Sequence, residues 1–140
     1  MESLYTAEAT ARRGGRSGVV ESSDGALNLQ LSVPKGLGGG GGTGTNPEEL
    51  FAAGYSACFE SALANIARKE KVDIPDTEVT CKIHIGKDET DGGFKLAAKL
   101  EVRIPGLDPE KAKELVEKAH AFCPYSKATR GNMEVELSVV

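Results

Sequence analysis

Two cysteines combine a reactive side chain with surroundings suited to chemistry. Cys58 sits in the run Leu50-Phe51-Ala52-Ala53-Gly54-Tyr55-Ser56-Ala57-Cys58-Phe59, the apolar heart of a helix pattern. Cys123 closes a second helix pattern in Ala119-His120-Ala121-Phe122-Cys123-Pro124-Tyr125-Ser126. A thiol attacks only as thiolate, so its reactivity depends on nearby positive charge and on access. If the fold brings the two together, one can attack, the other can resolve, and a disulfide forms between them. Free cysteines also serve as small buried hydrophobes, and composition alone favours that use.

A buried thiolate needs a fixed cation, and that cation needs an anion to hold it. Arg16 follows the Gly14-Gly15 turn, and Glu48 lies ten positions before Cys58 in the first turn of the same helix. Taken singly, Arg16 reads as a solvated hairpin charge and Glu48 as an acid favoured by a helix N-terminus. Cys81 and His84 sit on a strand pattern and read as structural. A shared metal is disfavoured there, because strand positions three apart face opposite ways. His120 and Cys123 do share a helical face but supply only two ligands, so no metal site is expected.

The elements that must position these residues follow from patterning. Leu4 to Ala11 and Arg16 to Glu21 read as strands, and Ala26 to Val33 alternates with Leu27, Leu29, Leu31 and Val33 on one buried face. Gly36 to Gly44 holds seven glycines in nine residues. It lacks the Lys-Ser or Lys-Thr ending of a phosphate loop, so a flexible connector is expected. Asn46-Pro47-Glu48-Glu49 is a complete helix start. The long helix it opens carries Leu50, Gly54, Ala57, Cys58, Ser61, Ala62 and Asn65 as its expected packing face. Glu78 to Gly86 and Phe94 to Ile104 are further strands, Asp108-Pro109-Glu110 starts a second helix that Pro124 should stop, and Met133 to Val140 closes the chain as a strand. The order β-β-β-α-β-β-α-β predicts an α+β domain with mostly antiparallel pairing.

Length and composition bound the rest. The 140 residues suit one domain over 1–140, and 39% apolar with 27% charged residues is ordinary for a soluble globular protein. A net charge of −4 argues against non-specific nucleic-acid binding. No secretory signal opens the chain, and the longest mostly apolar stretch, about ten residues, is half a bilayer span. Three cysteines fit a reducing cytoplasm. No Cys-x-x-Cys or Gly-x-Ser-x-Gly occurs, which weakens thioredoxin-like and hydrolase readings.

The stretch Thr45 to Phe59 resembles the OsmC/Ohr family, more narrowly its organic hydroperoxide resistance branch. Ala119 to Asn132, Gly14-Gly15-Arg16 and Leu31-Ser32-Val33-Pro34 fit the same branch, so the resemblance covers essentially the whole chain. It implies an OsmC-like fold, with mostly antiparallel sheets around a long central helix, in an intertwined homodimer with active sites at the subunit interface. It also implies a peroxidase with no metal or prosthetic group. Carried over by position, Cys58 is the peroxidatic thiol and Cys123 the resolving one. Arg16 is the cation that activates Cys58 and polarises the peroxide, and Glu48 orients Arg16. Organic hydroperoxides are the implied substrates, with Phe51 and Phe59 as expected lining of an apolar pocket, and dihydrolipoyl groups are the implied reductant. Lys127 and the additional Cys81 depart from the family pattern. A thiol redox sensor or binding protein without turnover is the competing reading, and Arg130 the next candidate for the cation.

Overall fold

A computed structural model describes residues 1–140. Two units divide the chain, Met1–Leu50 and Phe51–Val140. In the first, strands β1 (Ala9–Arg12), β2 (Val19–Ser22) and β3 (Asn28–Gln30) form an antiparallel sheet in that order. The strands are shorter than patterning predicts. Leu4 and Tyr5 lie outside β1 and are exposed. Leu27 is exposed too, because it closes the turn after β2: its amide donates to Ser22 Oγ, and its carbonyl accepts from Ser22 N–H. Only Leu31 of that predicted face is buried.

Arg16 is not a strand residue either. It lies in a short 3-10 turn, Gly15–Ser17. Arg13, Gly14 and Gly15 all take positive φ just before it, at 63°, 117° and 57°. Glycine adopts that backbone without the Cβ clash that penalises other residues, so the Gly-Gly pair is what lets the chain reverse at Arg16.

The glycine run is folded rather than a loose connector. Gly41 N–H donates to Val33 carbonyl at 3.0 Å and Gly44 N–H to Ser32 Oγ at 2.9 Å. Thr45 pairs with β3 and its extension, since Thr45 N–H donates to Gln30 carbonyl and Ser32 N–H to Thr45 carbonyl. These bonds fix where helix α1 (Pro47–Lys69) begins. Asn46 Oδ1 accepts from Glu49 N–H at 2.8 Å, Pro47 occupies the first position, and two glutamates complement the positive helix end, all as predicted.

In the second unit, strands β4 (Glu78–Lys87) and β5 (Phe94–Arg103) pair antiparallel, and β6 (Val135–Val139) adds parallel to β5. Helix α2 (Pro109–Phe122) starts at Asp108, whose carboxylate accepts from Lys111 N–H. Pro124 does more than stop α2: it is the first residue of a short helix, α3 (Pro124–Thr129), with Cys123 as the hinge between the two. Pro lacks the N–H that a helix interior needs but fits a helix start, so one residue ends α2 and opens α3.

The core of this unit gathers Tyr55, Phe59 and Leu63 of α1, Leu100 and Val102 of β5, and Leu115 of α2. The buried face of α1 is therefore offset from the small-residue stripe that the sequence suggested. Tyr55, Phe59 and Leu63 remove far more apolar area from water than alanine or serine, and they claim the core. Ala53, Ala57, Ser61 and Ala64 are left exposed along the other side. No helix is long and apolar enough to cross a membrane.

Candidate active site

The two expected cysteines meet. Cys58 lies in the middle of α1 and Cys123 at the α2–α3 hinge, and Cys123 Sγ is 3.6 Å from Cys58 Sγ, both as free thiols. A disulfide needs the sulfurs at about 2.05 Å, so closure asks for a shift on the order of 1.5 Å rather than a refolding. Cys123 is wholly buried, whereas Cys58 is partly open. That asymmetry suits an attacking thiol at Cys58 and a resolving one behind it.

Burial pushes the Cys58 thiol above its ordinary pKa. The backbone N–H of Tyr125, among the free first-turn donors of α3, pulls the other way by hydrogen bonding to the sulfur. The neighbouring Cys123 adds to the upward shift, since two thiolates cannot share so small a volume. Tyr125 is itself held by aromatic packing, its ring 6.0 Å from Phe51 edge-on and 5.6 Å from Tyr55. Gly54 makes this possible. A Cβ there would run into the Tyr125 ring and hydroxyl, so only glycine lets the ring lie against α1.

The expected ion pair also forms. Arg16 grips Glu48 with both ends of its guanidinium, Nη1 to Oε2 at 2.9 Å and Nη2 to Oε1 at 2.5 Å. This fork geometry is the strongest arrangement open to an arginine and a carboxylate. Hydrogen bonding to Arg16 holds the Glu48 carboxyl below the usual range, against the opposing effect of partial burial. Glu48 in turn raises the Arg16 pKa, so the cation is permanent.

Other sequence candidates sit elsewhere. Cys81 packs at the edge of the core on β4, and burial alone pushes its pKa up to about 11. Arg130 donates to the His120 carbonyl at 2.7 Å. Phe59 is fully buried in the core and cannot line an open pocket. Phe51 does line one: a cleft of about 570 Å³ shared with Phe94, Leu96, Thr129, Met133 and Glu134.

Sequence reasoning gave no role to Tyr55, Ser126 or Thr129, yet the structure joins their hydroxyls inside the core. Tyr55 Oη is 2.9 Å from Ser126 Oγ and 3.4 Å from Thr129 Oγ1, and Ser126 Oγ is 2.8 Å from His120 Nδ1. The available signal was positional, because Tyr55 and Ser126 each stand three residues from a cysteine.

By geometry this is a dithiol protein of α+β fold. A family model described as OsmC-like protein matches residues 39–138. The organic hydroperoxide resistance protein OhrB of Bacillus subtilis is 52% identical over 136 residues, covering 97% of this chain and 98% of the relative. The crystal structure of an organic hydroperoxide resistance protein from Elizabethkingia anophelis superposes with a TM-score of 0.93 at 52% identity, covering 99% and 98% of the two chains. A Legionella pneumophila structure described in the same terms gives 0.92 at 48% identity, over 99% and 98%. The chain belongs to the OsmC/Ohr family, on its organic hydroperoxide resistance branch.

Proposed function

We propose that this protein is a peroxidase that reduces organic hydroperoxides to alcohols with its own thiols. The observation that carries the reading is the 3.6 Å separation of two free cysteines, one partly open and one buried. Cys58 thiolate attacks the distal peroxide oxygen; the O–O bond breaks, the alkoxide takes a proton and leaves as alcohol, and Cys58 becomes a sulfenic acid. Cys123 then attacks that sulfur, expelling the hydroxyl as water and closing the disulfide. A dihydrolipoyl group returns two electrons and two protons and becomes the cyclic disulfide. The steps balance on sulfur and oxygen alone, so the reading calls for no metal or prosthetic group. It places the protein in the cytoplasm, where thiols are kept reduced.

Arg16 stabilises the Cys58 thiolate and the departing alkoxide, and Glu48 fixes its orientation. This reading needs a homodimer with active sites at the subunit interface. The family resemblance supports that arrangement, and within one chain the guanidinium is clamped by Glu48. In the dimer, the Arg16–Glu48 pair of one subunit serves the Cys58 of the other. Exposed Ala53, Ala57, Ser61 and Ala64 would let another helix approach α1 closely.

Turnover tests the reading. With an organic hydroperoxide such as tert-butyl hydroperoxide and dihydrolipoamide in excess, consumption should continue through many equivalents. A stop at one equivalent per thiol pair would instead make the protein a redox sensor. Continuous turnover with other dithiols but none with dihydrolipoamide would overturn the assigned reductant alone.

A further inference from the structure

The chain of buried hydroxyls beside the cysteines has no part in the steps above, and its placement calls for one. Tyr55 and Ser126 are fully buried, and Thr129 nearly so, in a core that is otherwise apolar. Replacing such a set by apolar residues of similar shape often costs little stability, so a buried hydrogen bond is best understood by what it orients. Tyr55 precedes Cys58 by three residues on α1, within one helical turn. Ser126 follows Cys123 by three residues on α3. The 2.9 Å bond from Tyr55 Oη to Ser126 Oγ therefore ties the helix of one cysteine to the helix that begins at the other.

The proton count of the chain is consistent. Thr129 Oγ1 donates to the Ser126 carbonyl at 3.1 Å. With His120 Nδ1 unprotonated, Ser126 donates to His120, and Tyr55 donates to Ser126, so every hydroxyl hydrogen is used. With Nδ1 protonated, the direction reverses and Tyr55 donates to Thr129 instead. The geometry stays satisfied either way, which suits a fixed spacer.

We propose that Tyr55 and Ser126, with His120 and Thr129 as anchors, are positioning residues that hold Cys58 and Cys123 in register for disulfide formation. This deepens the peroxidase reading and rests on it for its purpose, but its test does not require peroxide. The equilibrium between the dithiol and the Cys58–Cys123 disulfide, measured in glutathione redox buffers, reports how well the fold holds the sulfurs together. Tyr55→Phe keeps the ring and leaves Ser126 its bond to His120. Ser126→Ala leaves Tyr55 within reach of Thr129. Both variants should stay folded, as urea unfolding of the reduced proteins can verify.

Each variant should lower the equilibrium constant for disulfide formation about three- to tenfold, the scale of one lost hydrogen bond. The double variant should lose less than the two single losses combined, because both break the same Tyr55–Ser126 bond. After one equivalent of hydroperoxide, a dimedone-type reagent should also trap more Cys58 sulfenic acid in the variants. An equilibrium constant unchanged or raised in both variants would overturn the proposal, whatever their stability. A parent protein that forms the disulfide in glutathione buffer but never turns over hydroperoxide would overturn the peroxidase reading and leave this one standing.

Discussion

At the scale of single residues, the site sets two opposing demands on Cys58. Burial raises its pKa, which keeps the thiol protonated at neutral pH, while attack on peroxide needs the thiolate. A permanent cation resolves the conflict, and Arg16 is the proposed source. Arg16→Ala should therefore move the pH profile of Cys58 alkylation by iodoacetamide to higher pH and slow hydroperoxide reduction strongly at neutral pH. Raising the pH should recover only the thiolate share of that loss, because the guanidinium is also proposed to polarise the peroxide. An unchanged alkylation profile would return Arg16 to the status of a surface charge. Glu48 makes a separate pH prediction. Its folded pKa is depressed by Arg16, so its contribution to stability is complete above the ordinary carboxylate pKa and fades as pH falls through the lower folded value. Parent and Glu48→Gln should differ in urea stability at neutral pH and converge in strong acid. A gap that persists in acid would mean the pair is not its cause.

At the scale of elements, caps and turns place the chemistry. The Asn46 cap and Pro47 start α1 at a fixed point, and every later residue of that helix, Cys58 included, inherits its position. These signals were fully legible in the sequence, because capping is local and each residue type has one physical reason to be there. The buried face of α1 was not, because the choice between a small stripe and a large one depends on what packs opposite. Pro124 was half legible: its inability to continue a helix is local, but the start of α3 depends on chain that follows it. The hydroxyl chain was invisible for a related reason, since Tyr55 and Ser126 meet only in three dimensions. Gly54 is likewise explained by a distant ring rather than by its own backbone. Gly54→Ala should push the Tyr125 ring off α1 and disturb the amide that Tyr125 offers to Cys58. We expect a loss of about 1–3 kcal/mol from overpacking, read by urea unfolding, with slower Cys58 alkylation at neutral pH. A variant as stable and as reactive as the parent would show that the ring moves aside freely.

At the scale of the whole molecule, the proposed site needs a second subunit. Leu4, Tyr5 and Leu27 are exposed apolar side chains, and Ala53, Ala57, Ser61 and Ala64 leave an exposed small-residue stripe on α1. Sedimentation should therefore report a dimer. Mixing inactive Arg16→Ala with inactive Cys58→Ser should restore part of the activity, because one of the two sites in a mixed dimer would then draw its thiol and its cation from different, intact chains. A monomer at working concentration, or no recovery on mixing, would contradict the shared site. The sequence carried this expectation only through the family resemblance; nothing in local patterning encodes a partner.

Cys58 and Cys123 are proposed to form one redox couple. Peptide mapping under non-reducing conditions, after one equivalent of organic hydroperoxide, tests it most directly. The expected product is a Cys58–Cys123 disulfide within one chain and a free Cys81, whose thiol, with its pKa pushed up to about 11 by burial, is almost wholly protonated at neutral pH. A disulfide that includes Cys81, or oxidation that leaves Cys58 and Cys123 as unlinked thiols, would contradict it.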